Sequence, residues 1–492
     1  MAEIVVIGAG VGGLAAAARL AASGHRVTVC ERAPDVGGKL GLRERGGFRF
    51  DTGPSLVTMP QVFEDLFRET GDPIGTVLDL VPLDPIARYR FGDGTTLESC
   101  ADPFEFRRRI DDAFGRGAGS DWAAFWKRAE RIWHATYEPF LASALDGPRT
   151  LARYSTRLTD LATIAPGRTL RGLARSYLKD PRLQQFVERY ATYTGSDPRK
   201  APAALASVPY AELAYGGWYL RGGLRTLADA LLARCGEHGV KVRLSTEVTR
   251  ITADARGATG VLLADGGRLP ADVVVANADA AHVYRDLIAV PSSLRSLRRT
   301  TPSLSGFVLL LALRGTTPGL AHHNVLFPPG AYDAEFDHVF GDPGRPVPDP
   351  TLYLSVPDDP GVRPDGHEAV FLLVNAARHG VGRGAVDWRT PGLADRYADD
   401  LLQRLAERGH DVRDRVLFRE IVTPADLEAK THAIGGAIYG TSSNGARAAF
   451  LRPANRSVVP GLFLVGGSSH PGGGLPLVTL SARIVAGLIG PA

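Results

Sequence analysis

The chain has 492 residues, of which 44% are apolar and 22% charged, and a net charge of +4. That length exceeds what one compact core usually organises and predicts two or three units sharing the sequence. The ordinary apolar share excludes a disordered chain, and so mild a charge gives no basis for nucleic-acid binding, which concentrates Lys and Arg on one face.

The opening MAEIVVIGAG runs from a strand straight into a glycine turn and leaves no room for an export signal. Residues 3–31 read as a βαβ unit: a buried strand EIVVIG, a helix from Val11 to Ala22, the breaker Ser23-Gly24 and a second strand RVTVCE. The turn between strand and helix is GAGVGG. In this pattern Gly8 permits the tight turn, Gly10 lets the backbone approach a pyrophosphate and Gly13 allows close packing of helix on strand. Amides at the helix N-terminus then face the phosphates. Glu31 stands 23 residues after Gly8, where a carboxylate accepts hydrogen bonds from an adenosine ribose and disfavours a 2′-phosphate. These features predict a dinucleotide site that is not of the NADP type.

Further along, residues 227–251 read as a helix, a Gly turn and alternating strands, and ADVVVANADA (271–280) as an apolar strand. GLFLVGG (461–467) is a strand that passes through a glycine cluster into the helical stretch VTLSARIVAGLI (478–489). These pieces are expected to fold with the N-terminal unit. The predicted architecture is α/β, with a Rossmann-type dinucleotide domain from residues 1–73, 216–289 and 431–492. A mixed α+β substrate domain from residues 74–215 and 290–430 is inserted into it, with aromatic-rich helices first and strand-like segments later. Residues 340–364 read as loops around a short strand TLYLSV.

Within the insertion, Trp122, Trp126, Ala129, Trp133, Tyr137 and Phe140 recur at spacings of three and four, on one helix face. Between Arg149 and Arg182 there are eight basic residues (Arg149, Arg153, Arg157, Arg168, Arg171, Arg175, Lys179, Arg182) against two acidic ones (Asp160, Asp180). Such faces suit either an anionic membrane surface or a plain core with a solvated exterior. The longest apolar run, Phe307–Leu313, is far shorter than the roughly 20 residues that span a bilayer. Any membrane contact is therefore expected to be peripheral. The cysteines Cys30, Cys100 and Cys235 offer neither a disulfide framework nor a CxxC pair, which fits a cytoplasmic protein. His322, His323, His432 and His470 lack metal-ligand spacing, so no metal is expected.

After the acidic residue come PDVGGK (34–39) and FRFDTGPS (48–55), and with them the sequence resembles the FAD-dependent amine oxidases and carotenoid desaturases. The segments at 191–223, NADA (277–280), FLRPANRS (450–457) and LFLVGGSSHPGGGLPLVTLSARIVAGLI (462–489) bring it closer to the bacterial phytoene desaturase family, over nearly the whole chain. The resemblance implies FAD as cofactor. It places Gly37, Gly38 and Lys39 along the pyrophosphate and ribityl chain, and Gly53, Pro54 and Ser55 beside the flavin ring. It assigns Val248 to the adenine and Gly467, Ser468 and the run Gly474, Leu475, Pro476, Leu477, Val478 to the flavin end. Many relatives carry arginine where this chain has Lys39. An independent argument also puts the last helix at the flavin, because a helix N-terminus carries about half a positive charge and favours an anionic reduced ring.

The resemblance implies desaturation of an apolar acyclic isoprenoid, with hydride passing to flavin N5 and oxygen or a quinone as final acceptor. FRFDTGPSLVTMPQVFEDLF (48–67) and AHHNVLFPPGAYDAEFDHVFGD (321–342) look like the branch that acts on 1-hydroxycarotenoids at the 3,4 bond. Amine oxidation, polyene isomerisation and a non-catalytic carotenoid carrier are the alternatives. No catalytic residue is assigned, since the cofactor carries the chemistry and a strong base is not required. A substrate this apolar implies loading from lipid, hence a protein peripheral on the inner face of the cell membrane.

Overall fold

The structure is a computed structural model and describes residues 1–145, 162–380, 385–445 and 448–492. Its first strand, Glu3–Ile7, buries Ile4, Val5, Val6 and Ile7 to 7% exposure or less. An apolar run buried on both faces belongs in the middle of a parallel sheet covered by helices, each such side chain contributing about 1.5–3 kcal/mol. That is where it lies. The sheet has five parallel strands in the order Lys241–Arg243, Arg26–Cys30, Glu3–Ile7, Val273–Ala276, Leu462–Leu464. Helix Val11–Ala22 packs on it between helices Thr226–Glu237 and Leu475–Ile489. Residues more than 400 apart thus meet in one layer, with Ala-rich faces that let the helices approach closely.

An antiparallel three-stranded sheet, Val248–Asp254, Gly257–Leu263 and Arg268–Pro270, covers the other face. A seven-stranded sheet stands apart, in the order Val416–Val422, Ser305–Arg314, His367–Ala376, Leu352–Ser355, His323–Leu326, Ala87–Arg90, Thr96–Ser99. In the block from residue 74 the aromatic-rich helices, from Pro103 onward, are preceded by strands. After a single 3-10 turn at Ile74–Thr76 the block runs into strand Leu80–Pro82 and the hairpin Ala87–Arg90/Thr96–Ser99. The alternation of buried Ala87 and Tyr89 with half-buried Arg88 and Arg90 is a period-two signal that the polar arginines obscure in sequence.

The helices follow, and they engage much of the aromatic stripe and several of the basic residues within the protein. The aromatic stripe lies on helix Ala118–Thr136 and its π-turn extension Tyr137–Leu141. Trp122 and Trp133 are 3% exposed and Ala129 is fully buried. Trp122 packs against Phe106, Phe125 and Phe186, and Trp133 against Tyr137, Tyr210 and Tyr215. The stripe thus forms part of the core of a helical unit, with Trp126, Tyr137 and Phe140 half-buried at its margin. Three of the basic residues are paired with carboxylates, while Arg168 and Arg175 are exposed. Arg171 pairs with Glu188 and Asp333, Arg182 with Asp180 and Asp93, and Lys179 with Asp121. Arg149, Arg153 and Arg157 lie outside the described residues. Among the described residues, no helix is long and apolar enough to cross a membrane.

Candidate functional site: a glycine-lined cleft

The glycine turn is built as tightly as its spacing requires. Gly8 adopts φ +94°, open to glycine at little cost. A Cβ on Gly13 would stand 2.1 Å from the Gly8 carbonyl oxygen, so only hydrogen lets the helix sit this close to the strand. Gly10 caps helix Val11–Ala22 with no side-chain cap, so this N-terminus presents bare amides. Glu31 closes the turn from the neighbouring strand: its Oε2 accepts from the Ala9 amide at 2.7 Å and its Oε1 from the Ala33 amide at 2.9 Å. The segment leading to Val248 runs alongside, with the Ser245 and Thr246 amides donating to the Ala33 and Glu31 carbonyls. Val248 itself is 7% exposed.

Asn277 is the residue that ties these parts together, and sequence reasoning did not single it out beyond its place in NADA. Its Nδ2 donates to the Gly8 carbonyl at 3.3 Å. Side chains added at Gly10, Gly12 or Gly466 would each meet the Asn277 amide at 3.0 Å or less. One short polar side chain thus holds the first glycine turn against the glycine cluster after the last strand. Its position directly after an apolar strand that pairs with Glu3–Ile7 was the available signal.

The second glycine pair joins the same site. Gly37 bridges to Gly10, and Gly38 faces the Gly10 Cα, to which its own Cβ would come within 3.2 Å. Gly53 lies against the Lys39 carbonyl, and Asp51, just before it, accepts from the Leu224 and Arg225 amides at 2.7 and 2.9 Å. Pro54 follows, half-buried, and Ser55 Oγ bonds Tyr353 Oη at 2.6 Å. Lys39 does not extend as an open cation. Its Nζ donates to the Ile438 carbonyl at 2.8 Å, and burial holds its ammonium below the ordinary lysine range against the opposing charge of Asp279. Burial in turn raises the Asp279 carboxyl. Both groups keep accessible surface although chain surrounds them, which places them on an internal cleft.

The terminal helix starts at the other end of that cleft. Gly474 caps Leu475–Ile489 with Pro476 in the first turn, and a Cβ at Gly474 would meet nothing within 4 Å. Leu475 and Pro476 are buried, while Leu477 and Val478 are half-buried. Leu475 and Val478 pack into the sheet core and Leu477 into the aromatic helical core, so this helix start straddles the two. Gly467 lies against Gly473, and Ser468 Oγ accepts from the Ala280 amide at 2.9 Å. Arg452, 7% exposed, donates to the carbonyls of Tyr439, Gly467 and Thr441 and fixes the strand-to-helix turn. His470 is fully buried and hydrogen-bonds the carbonyls of Phe140 and Ser143 through Nε2; burial pulls it down to about 4, so it is neutral. It clamps the turn onto the helical unit and is not poised as a base. The three cysteines are buried and free.

Bare helix amides at Val11, backbone opened by glycine at residues 8–13, 37–38 and 466–474, and Glu31 after the second strand gather around Asn277, with a second helix N-terminus at Gly474. A cleft of this kind, shared between a parallel sheet and an inserted unit, defines a nucleotide-dependent oxidoreductase. The family model described as flavin containing amine oxidoreductase matches residues 11–490, and the chain belongs to that family. It is 35% identical to a 4,4'-diapolycopene oxygenase of Methylomonas sp, over 98% of this chain and 97% of that protein. It is 34% identical to a hydroxyneurosporene desaturase of Cereibacter sphaeroides, over 98% and 96% of the two chains. Among solved structures, an oxidoreductase from Methanosarcina mazei superposes with a TM-score of 0.64 at 17% identity, covering 98% of this chain and 99% of that one. The cofactor is therefore a flavin.

Proposed function

We propose that this protein is an FAD-dependent desaturase of an acyclic carotenoid, acting near an end of the chain and reoxidised by oxygen or a quinone. The observation that carries the reading is the near full-length similarity to a hydroxyneurosporene desaturase, on a fold of the flavin-containing oxidoreductase family. FAD is favoured over a shorter flavin by the Gly8–Gly13 turn and Glu31, which suit an adenosine diphosphate moiety. Residues 1–73, 216–289 and 431–492 hold the cofactor, and residues 74–215 and 290–430 hold the substrate; the five-stranded sheet supports the first assignment and the aromatic helical core the second.

Bound FAD supplies a hydride acceptor. The chain's own residues bind and orient: Glu31 takes the ribose, the amides of Val11–Gly13 and Gly38 take the phosphates, and the start of helix Leu475–Ile489 holds the ring and favours negative charge on it. Leu56, Leu477 and Tyr353, half-buried beside that helix start, offer apolar surface to a polyene. Moving a hydrocarbon of about 40 carbons through water costs on the order of 30 kcal/mol at about 0.8 kcal/mol per methylene. The substrate therefore loads from lipid, at the inner face of the cell membrane.

The test offers flavin-loaded protein an acyclic carotenoid and its 1-hydroxylated form in liposomes, with oxygen or a quinone, and follows absorbance and mass. A red shift with loss of two hydrogens per step is expected. Gain of oxygen without that loss would transfer the reading to terminal oxygenation, which the similarity to a diapolycopene oxygenase favours. Turnover of small amines with no change in any polyene would overturn it.

A further inference from the structure

A carboxyl group lies buried among tyrosines on the substrate side of the cleft, in a place where an apolar polyene has no use for it. Glu212, on helix Ser207–Tyr215, is 2% exposed. Its Oε1 accepts from Tyr190 Oη at 2.7 Å. Its Oε2 is buried and makes no hydrogen bond of ordinary geometry among the described residues, though the Tyr193 hydroxyl is close enough to favour the carboxylate. The hydroxyls of Tyr89 and Tyr332 and the Nε of Arg189 are also buried and unpartnered among the described residues. An unsatisfied buried polar atom costs about 1–3 kcal/mol, and Glu212 and Arg189 both lie near enough to act on Tyr89, so the Glu212 and Tyr89 oxygens point to a ligand that completes them.

The cluster opens towards the cofactor cleft. Tyr193 and Tyr353 keep accessible surface, yet burial raises both hydroxyls, so each faces an internal space. Tyr353 feels the charges of Glu212 and Arg189, bonds Ser55 at 2.6 Å and lies near Tyr439. Tyr439 in turn packs on Gly473, directly before the terminal helix. Leu56 and Leu477 pack against the same aromatic core as Tyr193 and Tyr353.

We propose that Glu212, with Tyr89 and Tyr193 beside it, forms a pocket that binds the hydroxyl group on the end of the isoprenoid substrate. An alcohol has one proton to donate and lone pairs to accept with, which matches an acceptor oxygen beside phenol donors. A hydrocarbon end would leave those groups unpaired, and sites built to bond a hydroxyl discriminate strongly against the analogue that lacks it. This deepens, and rests on, the reading of the cleft as a flavin and polyene site.

The experiment uses flavin-loaded protein in detergent micelles, titrated with a 1-hydroxylated acyclic carotenoid and with its unhydroxylated parent, and reads quenching of tryptophan fluorescence. The wild type should bind the alcohol about 10-fold or more tightly than the parent. Glu212→Leu should bring the ratio near one by weakening the alcohol alone. Should Glu212→Leu lose its flavin, Glu212→Gln decides, with an expected fall in the ratio of about threefold and unchanged affinity for the parent. A wild-type ratio near one, or a wild-type ratio retained in the variants, would overturn the pocket while leaving the desaturase reading intact. Failure of both polyenes to bind would overturn the desaturase reading and the pocket with it.

Discussion

Gly13→Ala isolates the closeness of the first helix to the first strand. The added methyl would stand 2.1 Å from the Gly8 carbonyl oxygen, 3.0 Å from Asn277 Nδ2 and 3.1 Å from Asn277 Cβ. The nearest neighbour is backbone and cannot rotate away, so helix Val11–Ala22 must lift from the sheet by on the order of 1 Å to restore ordinary contact. Overpacking of this kind costs about 1–3 kcal/mol, from which the better helix propensity of alanine recovers about 1 kcal/mol. The shift also carries the amides of Val11 and Gly12 away from the cradle, so flavin retention should fall more than stability does. Gly487→Ala is the matched control: it lies in helix Leu475–Ile489 with nothing within 4 Å of the new Cβ, and should be neutral or stabilising by up to about 1 kcal/mol. Thermal melts of flavin-free and flavin-loaded protein, with flavin content after gel filtration, give both readouts. A Gly13→Ala protein that keeps full flavin and the wild-type melting temperature would refute the close-packing argument.

Three further outcomes are expected. Glu31→Ala should weaken flavin binding and also destabilise the flavin-free protein, because the Ala9 and Ala33 amides lose their acceptor; at about 1.5 kcal/mol or more per charge-assisted bond, denaturant titration without flavin resolves it. Arg171→Ala strands the buried Glu188 carboxylate, so it should cost about 3 kcal/mol in the same titration and leave liposome flotation unchanged, the reverse of what a headgroup contact predicts. Burial pushes the Glu212 carboxyl from 4.5 up to about 7, so its neutral form suits the fold: stability is greatest below pH 4.5, declines as pH rises towards 7 and is level above that. Glu212→Gln should therefore be more stable than wild type above pH 7 by at most about 3 kcal/mol, with the difference gone below pH 4.5. A difference that does not vary with pH would refute this.

The local features were legible because their physics is local. Strand, turn, helix and second strand over residues 3–31 follow from burial periodicity and glycine spacing, and the structure has them at Glu3–Ile7, Val11–Ala22 and Arg26–Cys30. The same local logic marked the glycine cluster before the terminal helix and, with the family resemblance, the flavin. What tertiary structure alone decided is which of two environments a periodic pattern meets. A stripe of tryptophans at helical spacing fits a lipid surface and a protein interior equally well, and only the packing of Phe106, Phe186 and Tyr210 against it makes it core. The arginines that follow it have partners up to 162 residues away, and no run of sequence announces a salt bridge at that range. Asn277 reaches back 269 residues to Gly8. The cluster around Glu212 gathers residues from 89 to 332 whose hydroxyls and carboxyl look, one by one, like ordinary surface chemistry. Polar groups gain meaning from what burial denies them, and burial is a property of the assembled chain.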